Sequence, residues 1–223
     1  MSSNHKKSNL ALLSVEELRS RLSRNGKSQQ LIQDEVFFAQ RDNCIRRAAV
    51  LIPLVRENDD WSVLLTARTE FVEDHKGQVA FPGGAMEPSD GSAEQAALRE
   101  AEEEIGLPTK EVKILGSLPT YLTISNYLVT PVVAAIPWPF PLKLQTSEVS
   151  RAFTIPLAFL MQPENHSERV TEIRGQKLPI VYFKAYRGEV LWGISARIML
   201  ALLDALRLNR TSHFNKIAGS VMN

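Results

Sequence analysis

Residues 77–107 read GQVAFPGGAMEPSDGSAEQAALREAEEEIGL and carry the clearest local signals in the chain. The apolar run 79–81 predicts the end of a strand, and the Pro-Gly-Gly sequence after it predicts a turn. A helix is predicted from about Ser92, because a glutamine three residues later completes a capping-box pattern. Gly106 and Pro108 predict the end of that helix, since glycine takes the left-handed position after a last turn and proline cannot continue it.

Three glutamates of this helix, Glu100, Glu103 and Glu104, are spaced so that their carboxylates share one face. A solvated acidic face is one interpretation. A metal site is the other: bare backbone of the Gly-Gly turn approaches the same face, and Arg99 lies one turn before Glu103. Hard oxygen ligands of this kind suit Mg²⁺ or Mn²⁺. The apolar positions fall on a different face and are expected to pack on a core: Leu98, Ala101 and Ile105.

Residues 84–107 resemble the Nudix box, whose core is Arg-Glu-apolar-X-Glu-Glu-X-Gly-apolar. Residues 99–107, REAEEEIGL, match that core at every specified position. The resemblance implies an α/β fold, the Nudix-type α/β/α sandwich with a mixed sheet. It also implies hydrolysis of a nucleoside diphosphate linked to another moiety.

The resemblance further implies roles for residues of the box. Glu100, Glu103 and Glu104 become the metal ligands for Mg²⁺ or Mn²⁺, and a carbonyl of the Gly-Gly turn is a further candidate. Arg99 is expected to orient Glu103 through an ion pair. Asp90, upstream of the helix, either holds the loop or binds outer-shell water, and loop anchoring is the favoured interpretation.

A general base commonly comes from outside the box. Glu148, at the start of a late strand, is the candidate, with an ordinary surface glutamate as the equal alternative. Glu104 could also act as the base. Arg68, His75 and Gly84 are the candidate contacts to substrate phosphates. The predicted catalytic set is therefore Glu103, Glu104, Glu148 and Arg99.

An extended pattern around the box is similar to that of the coenzyme A diphosphatase branch of the family. Its matching positions are Leu64, Leu65, Thr66, Arg68, Gly77, Phe81, Pro82, Gly83 and Gly84. Two positions depart: Thr69 replaces a smaller residue, and Glu73 replaces an arginine. This resemblance predicts cleavage of coenzyme A or acyl-coenzyme A. The alternatives are another substrate (ADP-ribose, NADH or a dinucleoside polyphosphate) or a catalytically silent Nudix binding module, which typically lacks one of the glutamates.

Composition limits the class of protein. A chain of 223 residues with 44% hydrophobic and 23% charged residues is typical of a soluble globular protein. A net charge of +1 argues against binding nucleic acid by broad phosphate neutralisation. The single cysteine, Cys44, fits a reducing compartment, and no apolar run reaches membrane-spanning length. We therefore expect a cytoplasmic protein with a small-molecule substrate and no nucleic-acid or membrane partner. The oligomeric state stays open, a homodimer included.

The rest of the chain predicts one domain at residues 46–210, with an N-terminal tail and helical arm at 1–45 and a C-terminal tail at 211–223. Residues 14–17 begin an amphipathic helix that ends near residue 22, and the first residues are expected to be mobile. The predicted strands are 48–55 and 61–67 in a hairpin, 112–121, 127–136, a strand starting at 147, 169–174, 177–185 and 189–192. A helical turn at 155–161 and a helix at 194–208 complete the prediction.

Overall fold

The computed structural model of the chain describes residues 12–25, 45–69, 77–173 and 176–206. Its helices are α1 (Val15–Asn25), α2 (Ala93–Ile105), α3 (Leu157–Leu160) and α4 (Gly193–Ala205). Its strands are β1 (Arg46–Glu57), β2 (Asp60–Arg68), β3 (Val79–Ala80), β4 (Gly83–Ala85), β5 (Lys113–Ser117), β6 (Tyr121–Leu122), β7 (Tyr127–Ala135), β8 (Val149–Pro156), β9 (His166–Ile173) and β10 (Gln176–Phe183).

A mixed sheet of eight strands forms the centre of the described structure. The predicted hairpin is present: β1 and β2 pair antiparallel around residues 57–60. β7 pairs with β1 in parallel, and β5 and β8 extend the sheet on either side, antiparallel to β7 and β2. The prediction of a mixed sheet is confirmed.

β1 and β2 pair only near their turn, and the segment carrying the glycines fills the space where they separate. β3 pairs with β2 at residues 66–67, and β4 then pairs with β1 at residues 48–50. The Gly-Gly sequence was predicted to be a turn, and this is wrong: it is a short strand. Gly83 has φ +155°, and a Cβ there would lie 2.4 Å from the carbonyl oxygen of Ala49, so only glycine fits.

β1 and β7 are buried on both sides, because helices cover both faces of the sheet. Successive residues of β1 alternate between two apolar clusters, as the period of a strand requires. One cluster joins the sheet to α2 through Ala97, Ala101 and Ile105. The other joins it to α1, α3 and α4 through residues such as Leu18, Leu157 and Leu202. The predicted α/β/α sandwich is confirmed.

Local predictions differ from the structure at several places. The strand predicted at 112–121 is two strands, β5 and β6, separated by residues 118–120. β8 continues through Pro156, so the helical turn predicted from residue 155 is only α3. Residues 189–192 form isolated bridges, Tyr186 with Glu189 and Tyr182 with Trp192, and are not a strand. The first helix begins as predicted, with the Ser14 hydroxyl accepting from the Glu17 N–H at 3.1 Å, but it extends to residue 25.

α1 packs on the domain through buried Leu18 and Leu22, and Arg21 Nη1 donates to the carbonyl of Leu206 at 2.9 Å. Most of the two predicted tails, residues 207–208 of the last predicted helix, and His75 lie outside the described residues. The domain bounds stay a prediction. Among the helices that the structure describes, none is long and apolar enough to cross a membrane.

Candidate active site

The two ends of α2 fix the position of its glutamates along the helix. The Ser92 hydroxyl accepts from the Gln95 N–H at 3.2 Å, and the Gln95 side chain accepts from the Gly91 N–H at 2.8 Å. At the other end, Gly106 is left-handed at φ 70°, and its N–H donates to the carbonyl of Glu102 at 2.9 Å. Local sequence therefore sets where α2 begins and ends, and packing of its apolar face, with Ala97, Ala101 and Ile105, sets which side of the helix meets the sheet.

Arg99 connects the helix to the loop before it. Its Nε and Nη2 donate to the two oxygens of Asp90 at 3.2 and 3.0 Å, and Nη2 also donates to the carbonyl of Ala85 at 3.1 Å. Its Nη1 donates to Glu100 at 3.0 Å and to Glu103 at 3.3 Å. The predicted contact with Glu103 is present as a single hydrogen bond, whereas Arg99 makes two side-by-side hydrogen bonds to the carboxylate of Asp90.

Asp90 anchors the loop, as favoured from the sequence. Besides the pair with Arg99, its Oδ2 accepts from the Glu87 N–H at 2.7 Å. The hydrogen bond from Arg99, followed by that from Glu87, lowers the pKa of Asp90. Asp90 lies nine residues before Arg99 in the sequence, one more than the general box has, and it still reaches Arg99.

Glu100 lies directly against the backbone of β4. A Cβ at Gly84 would lie 2.7 Å from the carboxylate of Glu100, so the absence of a side chain at Gly84 makes this approach possible. The Glu100 side chain is 15% exposed, and burial raises its pKa despite the hydrogen bond from Arg99. Gly84, a candidate contact to substrate phosphates, thus lies where it makes room for the carboxylate of Glu100.

Glu104 is buried in the domain at 5% exposure. Burial raises its pKa to about 8; the charges of Glu100 and Glu148 add to this, while Arg68 and the Gly83 N–H oppose it. Among the described residues, its Oε2 has no hydrogen-bond partner. A buried carboxylate oxygen without a donor is costly unless a cation is nearby.

Glu103 extends away from this pair and its side chain is 59% exposed. Within the part of the chain that the structure describes, no three acidic, histidine or cysteine side chains are gathered into a group that could hold a metal ion. Like charges separate unless a cation draws them together, and Arg99 holds Glu103 to one side. The three glutamates therefore lie on the same side of the helix, but their carboxylates do not surround a common point that could hold a metal ion.

Glu148 is brought to the box from a distant part of the sequence. Its side chain is exposed, yet its charge contributes to the raised pKa values of Glu100 and Glu104, for which burial is the larger cause. Thr69 positions this segment: its N–H donates to the Glu148 carbonyl at 2.9 Å, and its hydroxyl to the Ser147 carbonyl at 3.1 Å. Sequence reasoning missed this role of Thr69, because nothing local to residue 69 signals it.

Arg68 ends β2 beside the same carboxylates. Its charge opposes the rise in the pKa of Glu104, and among the described residues its Nε makes no hydrogen bond. The structure therefore brings Arg68, Gly84, Glu100, Glu104 and Glu148 together, with Glu103 at the exposed side. His75 lies outside the described residues.

The residues present fit a divalent cation such as Mg²⁺. The donors are hard carboxylate oxygens, one of them buried without a partner, beside a glycine that lets backbone approach. Mg²⁺ binds through one or two carboxylates and takes its other ligands from water and substrate phosphates, so it does not require a three-ligand cage. Such a site is open to a phosphate-bearing substrate.

Comparison with known proteins gives consistent matches. The sequence model of the NUDIX domain matches residues 45–172. NudL of Escherichia coli K12, an uncharacterized Nudix hydrolase, is 41% identical over 157 residues, which are 70% of this chain and 81% of NudL. NudL of Photorhabdus laumondii is 37% identical over 163 residues, 73% and 86% of the two chains. A crystal structure of a MutT/nudix family protein from Enterococcus faecalis superposes with a TM-score of 0.50 at 16% identity, covering 87% of this chain and 75% of that one, and supports the fold.

Proposed function

This chain belongs to the Nudix hydrolase family, and from that premise we propose that it cleaves the diphosphate bond of coenzyme A or an acyl-coenzyme A. The products are 3′,5′-ADP and 4′-phosphopantetheine or its acyl form. Enzymes of this family act on diphosphate bonds and generally use divalent ions such as Mg²⁺ or Mn²⁺. The substrate, the ion and the residue roles below are parts of the proposal.

The observation that carries the proposal is the placement of the extended pattern around residues 64–84. Its apolar members Leu64 and Phe81 are buried, and the Thr66 hydroxyl donates to the Ala80 carbonyl at 3.3 Å. Pairing of β2 with β3, together with the hydrogen bond from the Arg68 N–H to the Gln78 carbonyl at 3.0 Å, places Arg68 at the end of β2 next to the segment that carries Gly84. The pattern therefore supports the site itself, and its likeness to that of the coenzyme A diphosphatase branch is what favours coenzyme A among diphosphate substrates.

The carboxylates of Glu100, Glu103 and Glu104 would hold the divalent ions. When bound, these ions neutralise negative charge on the phosphate oxygens. Arg99 keeps Glu100 and the loop in fixed positions, so the donors need little rearrangement.

Arg68 supplies a positive charge for the diphosphate at the inner end of the site. Glu148 is the residue we propose as general base, because it is exposed to water and its charge acts on both buried carboxylates. It would accept a proton from the attacking water while one P–O bond of the diphosphate breaks. Glu104 is the alternative base.

The test is a hydrolysis panel of coenzyme A, acetyl-coenzyme A, ADP-ribose and NADH with Mg²⁺ and with Mn²⁺. We expect the highest kcat/KM for coenzyme A or its thioester. Glu103→Gln, checked for folding by circular dichroism, should lose at least about 100-fold in kcat, since even indirect supports of metal ligands are worth about 10–100-fold. A preference for ADP-ribose or NADH would refute the substrate while leaving the diphosphate chemistry intact. Near-native activity of folded Glu103→Gln would refute the metal assignment.

A further inference from the structure

A β-bulge interrupts the pairing of β2 with β8 beside the candidate active site. Along most of the pair the register is regular, and the last regular position has Ala67 opposite Arg151. The next residue of β2, Arg68, is opposite Val149, so Ser150 is an extra residue in β8. Bulges are frequent next to active sites, where they redirect a strand or a side chain.

The bulge decides which residue of the segment before β8 lies beside the end of β2. The shifted register continues past it, because the Thr69 N–H donates to the carbonyl of Glu148 at 2.9 Å. Regular pairing without the extra residue would place Val149 at that point and move Glu148 one residue further away, by about 3.3 Å. A shift of one residue also exchanges the two faces of a strand. The bulge therefore sets both the distance of Glu148 from β2 and the face to which it belongs.

The side chain of Ser150 holds the bulge in place. Its hydroxyl donates to the carbonyl of Ala67 at 2.9 Å, with a longer contact of 3.3 Å to the carbonyl of Arg68. A hydroxyl has one proton, so the shorter contact is the main hydrogen bond and the longer one is its weaker branch. This single donor bridges the two residues of β2 between which the register changes.

The segment before the bulge is also tied to α2. The Gln145 N–H donates to the carbonyl of Glu104 at 2.9 Å. The carbonyl of Gln145 accepts in turn from the N–H groups of Glu148 and Val149, at 2.9 and 2.8 Å. Glu148 thus lies between a turn bound to the box helix and the bulge. These contacts join backbone atoms, whereas the hydroxyl of Ser150 can be removed by substitution without deleting any of them.

We propose that Ser150 is a positioning residue, which holds Glu148 within reach of the attacking water. The inference rests on the proposed function, in which Glu148 is the general base, and adds the residue that fixes its position. A general base must lie within hydrogen-bond reach of the proton it accepts, and a misplacement of about 1 Å can cost about 100-fold in rate. Ser150 is exposed and belongs to neither apolar cluster, so its hydroxyl should matter far more for turnover than for folding.

The first experiment compares the native chain with Ser150→Ala and Ser150→Thr, with Mg²⁺ and the best substrate of the hydrolysis panel. Ser150→Ala should lower kcat at least about tenfold and change KM less than about threefold, because the base moves while the metal ligands stay in place. Ser150→Thr keeps the hydroxyl and should retain at least about a third of the native kcat. The matched control is Ser167→Ala, at an exposed position of β9 in the two-stranded sheet, which should change neither constant.

Three results of this comparison would overturn the inference. They are a native kcat in Ser150→Ala, an effect confined to KM, and a failure of Ser150→Thr to recover turnover. Circular dichroism and Tm of each variant establish that the folded proteins are being compared.

The second experiment needs neither metal nor substrate. Amide hydrogen exchange in EDTA, followed by NMR, reports on the hydrogen bond from the Thr69 N–H to Glu148, on the far side of the bulge. In Ser150→Ala, exchange of the Thr69 amide should become about fivefold faster, the factor that corresponds to one net hydrogen bond. The amide of Leu202, in the middle of α4, is the reference and should not change. Unchanged exchange at Thr69 would mean that the bulge holds without the hydroxyl, and it would overturn the inference.

The third experiment asks whether Ser150 acts through Glu148. Ser150→Ala is introduced into the native chain and into Glu148→Gln, which lacks the proposed base. The loss of kcat should be at least about tenfold in the native background and less than about twofold in Glu148→Gln, because the residue it positions is already gone. Equal losses in both backgrounds overturn the inference, while a loss caused by Glu148→Gln alone still supports the proposed function. A silent Glu148→Gln overturns the proposed base and this inference with it.

Discussion

Glu104→Gln in the metal-free protein is the most informative single perturbation, because it separates the stability of the fold from the chemistry of the site. Glutamine keeps the size of the side chain and an oxygen to accept the Gly83 N–H, but it cannot ionise. We expect the variant to lose activity and yet to be more stable than the native chain in EDTA at neutral pH.

The magnitude follows from the pKa of Glu104. Its pKa rises from 4.5 to about 8 in the folded protein. Between those values the folded state binds more protons than the unfolded state, so the free energy of unfolding falls as the pH rises. The fall amounts to about 3 kcal/mol between about pH 5 and about pH 7.5. This is a large part of the roughly 5–15 kcal/mol that stabilises an ordinary domain.

Glu104→Gln should abolish that part of the pH dependence. At about pH 7.5 we expect a net gain of about 2 kcal/mol, because the amide left without an acceptor costs about 1 kcal/mol of the gain. The assay is urea unfolding in EDTA at fixed ionic strength, followed by tryptophan fluorescence at a series of pH values. The difference between native and variant curves cancels the titration of groups that both proteins share.

Glu102→Gln is the matched control, since it makes the same chemical change at an exposed position of the same helix. It should leave the pH dependence as it is in the native chain. Parallel curves for native protein and Glu104→Gln would refute the reasoning, because they would mean that the buried carboxylate does not titrate in the range given. Adding Mg²⁺ should make the native curve flatter, since a bound cation stabilises the charged form.

Three further perturbations probe the parts of the site around this carboxylate. Gly84→Ala would place a methyl group 2.7 Å from the Glu100 carboxylate, so kcat should fall at least about tenfold; unchanged kinetics would show that Glu100 is free to move. Asp90→Asn should weaken the pair with Arg99 and lower kcat by about 10–100-fold with a reduced Tm, and a native Tm by calorimetry would contradict the anchoring role. Glu148→Gln should lose kcat, with a loss that shrinks at higher pH where hydroxide competes; a silent variant in a pH–rate profile would move the base to the box helix.

The elements whose signals are local could be predicted from the sequence. Ser92 and Gly106 set the ends of α2, because capping involves only residues within one turn of each other. Helical geometry then placed Glu100 beside Glu104, and the apolar runs around residues 48–55 and 61–67 identified the central hairpin. These predictions need no knowledge of what packs against each segment.

Tertiary structure decided how the same residues are charged and what surrounds them. Glu104 reads in sequence as one glutamate among three, yet packing of α2 on the sheet buries it and raises its pKa. Thr69 and Glu148 are brought together by the pairing of β2 with β8, which no local pattern signals.

An open, mainly apolar cleft of about 390 Å³ on the sheet face opposite α2 depends on the tertiary structure in the same way. Its walls come from segments between residues 50 and 198, each of which reads alone as an ordinary strand, loop or helix start. Local propensity acts over a few residues. Burial, long-range pairing and cavity shape depend on contacts between residues far apart in the chain, and these exist only in the folded protein.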